Sequence, residues 1–231
     1  MKWGQFFTSA IGKKLVMAFT GIFLISFLIV HCILNMCIFV PDHGETFNKF
    51  SHFMGTNWIV HILEIGLFLG LILHIVQGIM LTVQNKSKRP VKYTVTKRNQ
   101  VSKWYSRSMG ILGILVLLFL IIHLSDFWVH TRFASIFGGV GSVDYQGKEM
   151  DALYHQMLVV FSNPLIVLIY VLGVIALGFH LAHGFQSSFR TLGMTSARYI
   201  KIVRGIGIAF SIIVPLIFAL MPISMYLGWV N

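Results

Sequence analysis

Ten histidines occur among the 231 residues. Five of them, His31, His74, His123, His180 and His183, stand inside long apolar stretches and away from their ends. A titratable ring in such surroundings is expensive and needs a reason. Neutral imidazole is a good ligand for iron and other transition metals. Gly66, Gly70, His74 and Gly78 recur at every fourth position, which puts them on one side of an α-helix. Three glycines around one imidazole leave a bare strip for a flat, wide group. A haem macrocycle held by the imidazole is such a group. The Gly66–Gly70 spacing also suits plain helix packing. Ala176, His180 and Gly184 repeat the small–His–small spacing, whereas His183 has Phe179 and Ser187 at those offsets. His180 is therefore the expected ligand, and His183 is expected near a haem propionate or the membrane interface.

These residues must be positioned by helices in a bilayer. The chain is 56% hydrophobic and 11% charged, with a mean hydropathy of +0.80. That composition describes an integral membrane protein. A bilayer core takes about 20 apolar residues to cross. Five stretches are long enough: Leu15–Phe39, Trp58–Gln84, Met109–Val129, Pro164–Ser187 and Ile202–Trp229. The first is too long and too aromatic for a cleaved signal peptide and is expected to remain. The expected fold is all-α with five transmembrane helices, the first four forming one haem-binding bundle over residues 1–231.

The formal net charge of +11 is unevenly placed. Lys2, Lys13 and Lys14 precede the first span. Eight cations from Lys86 to Arg107 fill the link between the second and third, and Arg190, Arg198, Lys201 and Arg204 the link between the fourth and fifth. Lys49, Arg132 and Lys148 lie on the other side, with every acid except Glu64. The positive-inside rule then sets the N-terminus in the cytoplasm and the C-terminus outside. The basic links are expected to meet anionic membrane lipid, or a docked soluble partner, and not nucleic acid. Residues 1–14, with Trp3, read as an interfacial lead-in. Cys32 and Cys37 fall on different faces of one helix and are neither a disulfide nor a metal pair. The Thr131–Asn163 link contains several glycines and reads as irregular, with a short helix near Met150–Val160.

Topology assigns depth. His31 and His123 fall in the outer half of the membrane, His74 and His180 in the inner half, about 10–15 Å apart along the normal at about 1.5 Å per residue. Four imidazoles on four helices, two per level, are what two bis-histidine haems require. His74 pairs with His180 and His31 with His123, and the second nitrogen of each ring needs an acceptor. Zinc or copper would need its ligands clustered within a few ångströms.

The order and spacing of these ligands resemble the five-helix dihaem cytochrome b subunit of succinate dehydrogenase/fumarate reductase, the b558 type. The resemblance runs over the whole chain. It is carried by residues 52–78 leading to His74, by residues 21–25 followed by His31 and Asn35, by Met109-Gly110 leading to His123, and by His180–Gly184–Phe185. It implies two haems b, with Gly70, Gly78 and Gly184 packing against them. It also implies menaquinone near the outer haem, a bacterial cytoplasmic membrane, and a flavoprotein and an iron–sulfur subunit docked on the cytoplasmic face. The chain would then be an electron-transfer and quinone-binding subunit, with the dicarboxylate chemistry elsewhere. Some fumarate-reducing members carry a glutamate two residues before the fourth-span ligand; here Gly178 stands there, which tilts the reading toward succinate oxidation.

Quinone reduction consumes protons, so an ionisable group beside the ring is expected. Glu64, embedded in the second span, is one candidate; a hydrogen bond to a neighbouring helix is its other reading. Asp126, three residues after His123, is another. Two different functions remain open on the sequence. One is a cytochrome b anchor of a formate dehydrogenase or hydrogenase, which soluble partners would distinguish. The other is a proton-coupled transporter, which would carry no haem.

Overall fold

The computed structural model describes residues 9–87 and 103–230. The lead-in through Trp3, and Lys2, Lys88, Arg89, Lys92, Lys97 and Arg98 of the basic links, lie outside the described residues. Among the described residues, five helical segments are long and apolar enough to cross a membrane: Ile11–Phe39, Trp58–Asn85, Met109–Arg132, Pro164–Thr191 and Ala197–Tyr226. The chain is an all-α multi-pass membrane protein, with one small hairpin among the described residues.

The helices in chain order are α1 (Ala10–Asn35), α2 (Glu45–Thr56), α3 (Trp58–Ser87), α4 (Trp104–Arg107), α5 (Met109–His123), α6 (His130–Arg132), α7 (Ala134–Phe137), α8 (Leu153–Phe161), α9 (Pro164–Thr191) and α10 (Ala197–Tyr226). α1 tightens into a 3₁₀ turn at Met36–Phe39, and Leu124–Val129, after α5, is π-helical. Strands β1 (Ser142–Tyr145) and β2 (Lys148–Asp151) pair antiparallel, Tyr145 opposite Lys148.

The chain forms two compact units. Among the described residues, unit 1 holds residues 9–27, 66–87, 103–114 and 177–212; unit 2 holds residues 28–65, 115–176 and 213–230. Spans one to four each contribute one of the expected ligands: His74 and His180 to unit 1, His31 and His123 to unit 2.

Unit 2 has an apolar core built from Ile38, Phe47, Tyr154, Met157, Phe161, Tyr170, Met221 and Met225. Its connecting segments are more ordered than the glycine-rich sequence suggests. Asp42 accepts hydrogen bonds from the amides of Gly44 (3.1 Å) and Thr46 (2.9 Å) and so starts α2. Buried Asn48 donates to the Tyr145 hydroxyl at 3.2 Å and accepts from the Tyr154 amide at 2.9 Å, tying α2 to β1 and α8. Gln146 and Gly147 both have positive φ, 59° and 80°, which is the two-residue turn that suits a hairpin. α2 itself turns Phe47 inward and leaves Phe50 and Phe53 exposed.

Candidate functional site

In unit 1 the rings of His74 (α3) and His180 (α9) lie with centres 6.2 Å apart at 60°. In unit 2 the rings of His31 (α1) and His123 (α5) have centres 5.8 Å apart at 87°. Two imidazoles bound to one metal ion from opposite sides, each through a nitrogen about 2 Å away, bring their ring centres about 6 Å apart. Both separations fit that arrangement. His183 makes no such ring contact with His74 among the described residues.

The second ring nitrogens differ. His74 Nδ1 lies 3.2 Å from the Thr20 hydroxyl on α1. His31 Nδ1 lies 3.4 Å from the Asn35 amide nitrogen, one turn along the same helix. The Nδ1 atoms of His123 and His180 are buried with no partner among the described residues. A buried polar nitrogen without a partner is costly. Among the described residues no cluster of three or more His, Cys, Asp or Glu is placed to hold a metal ion. A metal ion held by two imidazoles would need its other ligands from a separate group, and a porphyrin supplies four.

The glycines of the expected face differ in what stands beside them. A Cβ on Gly70 would lie 3.0 Å from the Phe23 ring, so that position seats α1 against α3. Gly78 is nearly open, with the Met17 methyl 3.9 Å away, and Gly66 and Gly184 meet nothing within 4 Å. The glycines beside the imidazoles come from other spans. A Cβ on Gly21 would lie 3.7 Å from His74 Cε1, and one on Gly113 would lie 3.8 Å from His180 Cε1. Neither was picked out by i±4 spacing, because each serves a histidine on a different helix.

His123 is enclosed by aromatic rings. Phe119 stacks on it at 5.7 Å and 29°, with Phe127 at 5.6 Å and Tyr170 at 6.1 Å. Phe218 of α10 lies 5.6 Å from His31. Buried Tyr170 donates a 2.6 Å hydrogen bond to the Asp126 carboxylate. Asp126 sits in the π-helical turn, and its carbonyl accepts from Gln156 at 3.1 Å. Such turns are frequent at functional sites.

Glu64 is fully engaged. Its carboxylate accepts from Trp128 Nε1 at 2.5 Å and from Arg132 Nε and Nη2 at 3.2 and 2.5 Å. Arg132 also donates to the Gly55 carbonyl at 3.2 Å. Of the two readings for Glu64, this geometry is that of a bond between neighbouring spans, with both carboxylate oxygens occupied. Cys32 and Cys37 are both free thiols.

Five membrane helices carrying two close pairs of partly buried imidazoles define an all-helical multi-pass membrane protein. The chain is similar to the succinate dehydrogenase cytochrome b558 subunit of Bacillus subtilis (strain 168), 28% identical over 170 residues, 73% of each chain. That likeness supports a cytochrome b membrane anchor of the succinate dehydrogenase kind. No family model matches the chain, and no solved structure matches it.

Proposed function

We propose that this chain is the membrane-anchor cytochrome b subunit of a succinate:quinone oxidoreductase, and that it carries electrons between an iron–sulfur subunit and menaquinone through two bis-histidine haems b. The observation that carries this reading is the pair of imidazole couples, one per compact unit, with ring centres 6.2 and 5.8 Å apart. His74 and His180 would hold one haem and His31 and His123 the other, with Gly78 and Gly184 offering open helix surface to the first. Bound haem would supply one-electron transfer.

The remaining steps belong to this chain's own residues. Apolar packing around His123 keeps water from the ligand. Asp126, hydrogen-bonded to Tyr170 beside His123, is the better-placed group to exchange protons with a quinone, because the oxygens of Glu64 are held by Arg132 and Trp128. The basic links, cytoplasmic by the positive-inside rule, would receive the iron–sulfur and flavoprotein subunits. Gly178, where a proton-carrying glutamate would otherwise stand, favours succinate oxidation as the working direction.

Purification of the full chain from its native membrane tests the reading. Co-purification of a flavin-bearing and an iron–sulfur subunit, with succinate-dependent reduction of a menaquinone analogue, is expected. A molybdenum- or nickel-containing partner would assign the chain to a formate dehydrogenase or hydrogenase instead.

A further inference from the structure

The four paired histidines are not equivalent at their second nitrogens, and Thr20 stands beside that of His74. Its hydroxyl stands 2.8 Å from the Val16 carbonyl one turn back, 3.3 Å from the Met17 carbonyl, and 3.2 Å from His74 Nδ1. A hydroxyl has one hydrogen and two lone pairs. A helical threonine donates that hydrogen to the carbonyl four residues back, here the shorter contact. Toward His74 the oxygen can then only accept. Nδ1 must carry the ring hydrogen, which leaves the lone pair on Nε2. Gly21, the next residue, lets the imidazole lie close to α1: a Cβ there would meet His74 Cε1 at 3.7 Å and Ser188 Oγ at 3.0 Å. His180, the opposite ring, has no Nδ1 partner among the described residues.

We infer that Thr20 is a positioning residue that fixes the tautomer of His74 and makes it the more electron-donating ligand of its pair, lowering the potential of the haem held between His74 and His180. An imidazole that gives its Nδ1 hydrogen to an acceptor is the more basic ligand and favours the oxidised metal. The inference rests on haem ligation by His74.

The test uses membranes containing the full chain with its soluble subunits, wild type and Thr20→Val and Thr20→Ser. Valine keeps the branched shape without the oxygen; serine keeps the oxygen. Redox titration of the visible haem bands is the readout, with low-temperature electron paramagnetic resonance. Thr20→Val is expected to raise one midpoint potential, a tenfold loss of preference for the oxidised metal reading as about 59 mV for a one-electron couple. The other midpoint stays in place, and Thr20→Ser returns the shifted one toward wild type. Loss of one haem in Thr20→Val but not in Thr20→Ser also supports the role. Unchanged potentials in Thr20→Val with both haems present would overturn it, as would equal haem loss in both variants. Failure of the ligation reading itself is separate: it appears as a His74→Ala protein that keeps its full haem complement.

Discussion

Phe119 lies across Gly173 so closely that a Cβ on the glycine would sit 2.5 Å from the phenyl ring. The same ring stacks on His123 at 5.7 Å. A glycine on α9 therefore sets the position of an imidazole on α5 through one aromatic side chain. Gly173→Ala should push Phe119 into His123, at an overpacking cost of about 1–3 kcal/mol. The expected result is loss or spectral change of the haem ligated by His31 and His123, with the other retained. Separate quantification of the two haem bands in the variant checks this.

The Glu64–Arg132 bridge joins α3 to α6 at a site where Trp128 also donates. Glu64→Gln should leave Arg132 with one charged partner fewer and lower stability by about 0.2–1 kcal/mol. Quinone reduction per folded molecule should survive. Thermal unfolding in detergent beside turnover of the surviving protein measures both. Normal stability with abolished turnover would return Glu64 to the quinone site.

Asp126 and Tyr170 should behave in the opposite way. Tyr170→Phe removes the hydroxyl that donates at 2.6 Å but keeps the ring packing around His123. Asp126→Asn removes the proton-accepting charge. Loss of one general acid–base group slows a reaction by about 10²–10⁴-fold, so quinone reduction should fall by about 100-fold or more while both haems remain reducible by succinate. Steady-state quinone turnover, measured beside haem reduction by succinate, separates the two steps.

The start of α2 carries a pH dependence. Partial burial pushes the Asp42 carboxyl upward, but hydrogen bonds from Thr46, with those from the Gly44 and Glu45 amides, outweigh it and hold the group below its ordinary value. A depressed carboxyl stabilises the fold above its unfolded-state value, about 3.9 for aspartate, and that stabilisation is lost as pH falls through the lower folded-state value. The protection factors of the amides across Glu45–Asn48, taken relative to the intrinsic exchange rate at each pH, should fall on acidification below about pH 4. In Asp42→Asn this pH step should be absent.

Much of the architecture is legible in the sequence, and the reasons are local. Trp58, Met109 and Pro164 begin helices because apolar composition resumes there after polar links. The four paired histidines stand out because imidazoles on four spans at two matched depths form a pattern that a lone packing histidine does not. What is not legible depends on neighbours across space. Thr20 and Gly21 are ordinary residues of a membrane helix until α3 brings His74 beside them. Gly113 and Gly173 matter to His180 and Phe119, which lie on or face another span. The β1–β2 hairpin did leave a signal, the Gln146–Gly147 pair between two four-residue strands, but the surrounding glycines mask it. α2 is marked only by Asp42 at its start and the inward-facing Phe47.

The central claim is that imidazoles on four spans meet two by two to ligate two iron porphyrins. Its most direct test is the reduced-minus-oxidised visible spectrum of the purified full-length chain, with haem and protein quantified together. Two haems b per chain are expected, falling to one in His31→Ala or His123→Ala and to the other one in His74→Ala or His180→Ala. A colourless protein, or one haem per chain in the wild type, would contradict it.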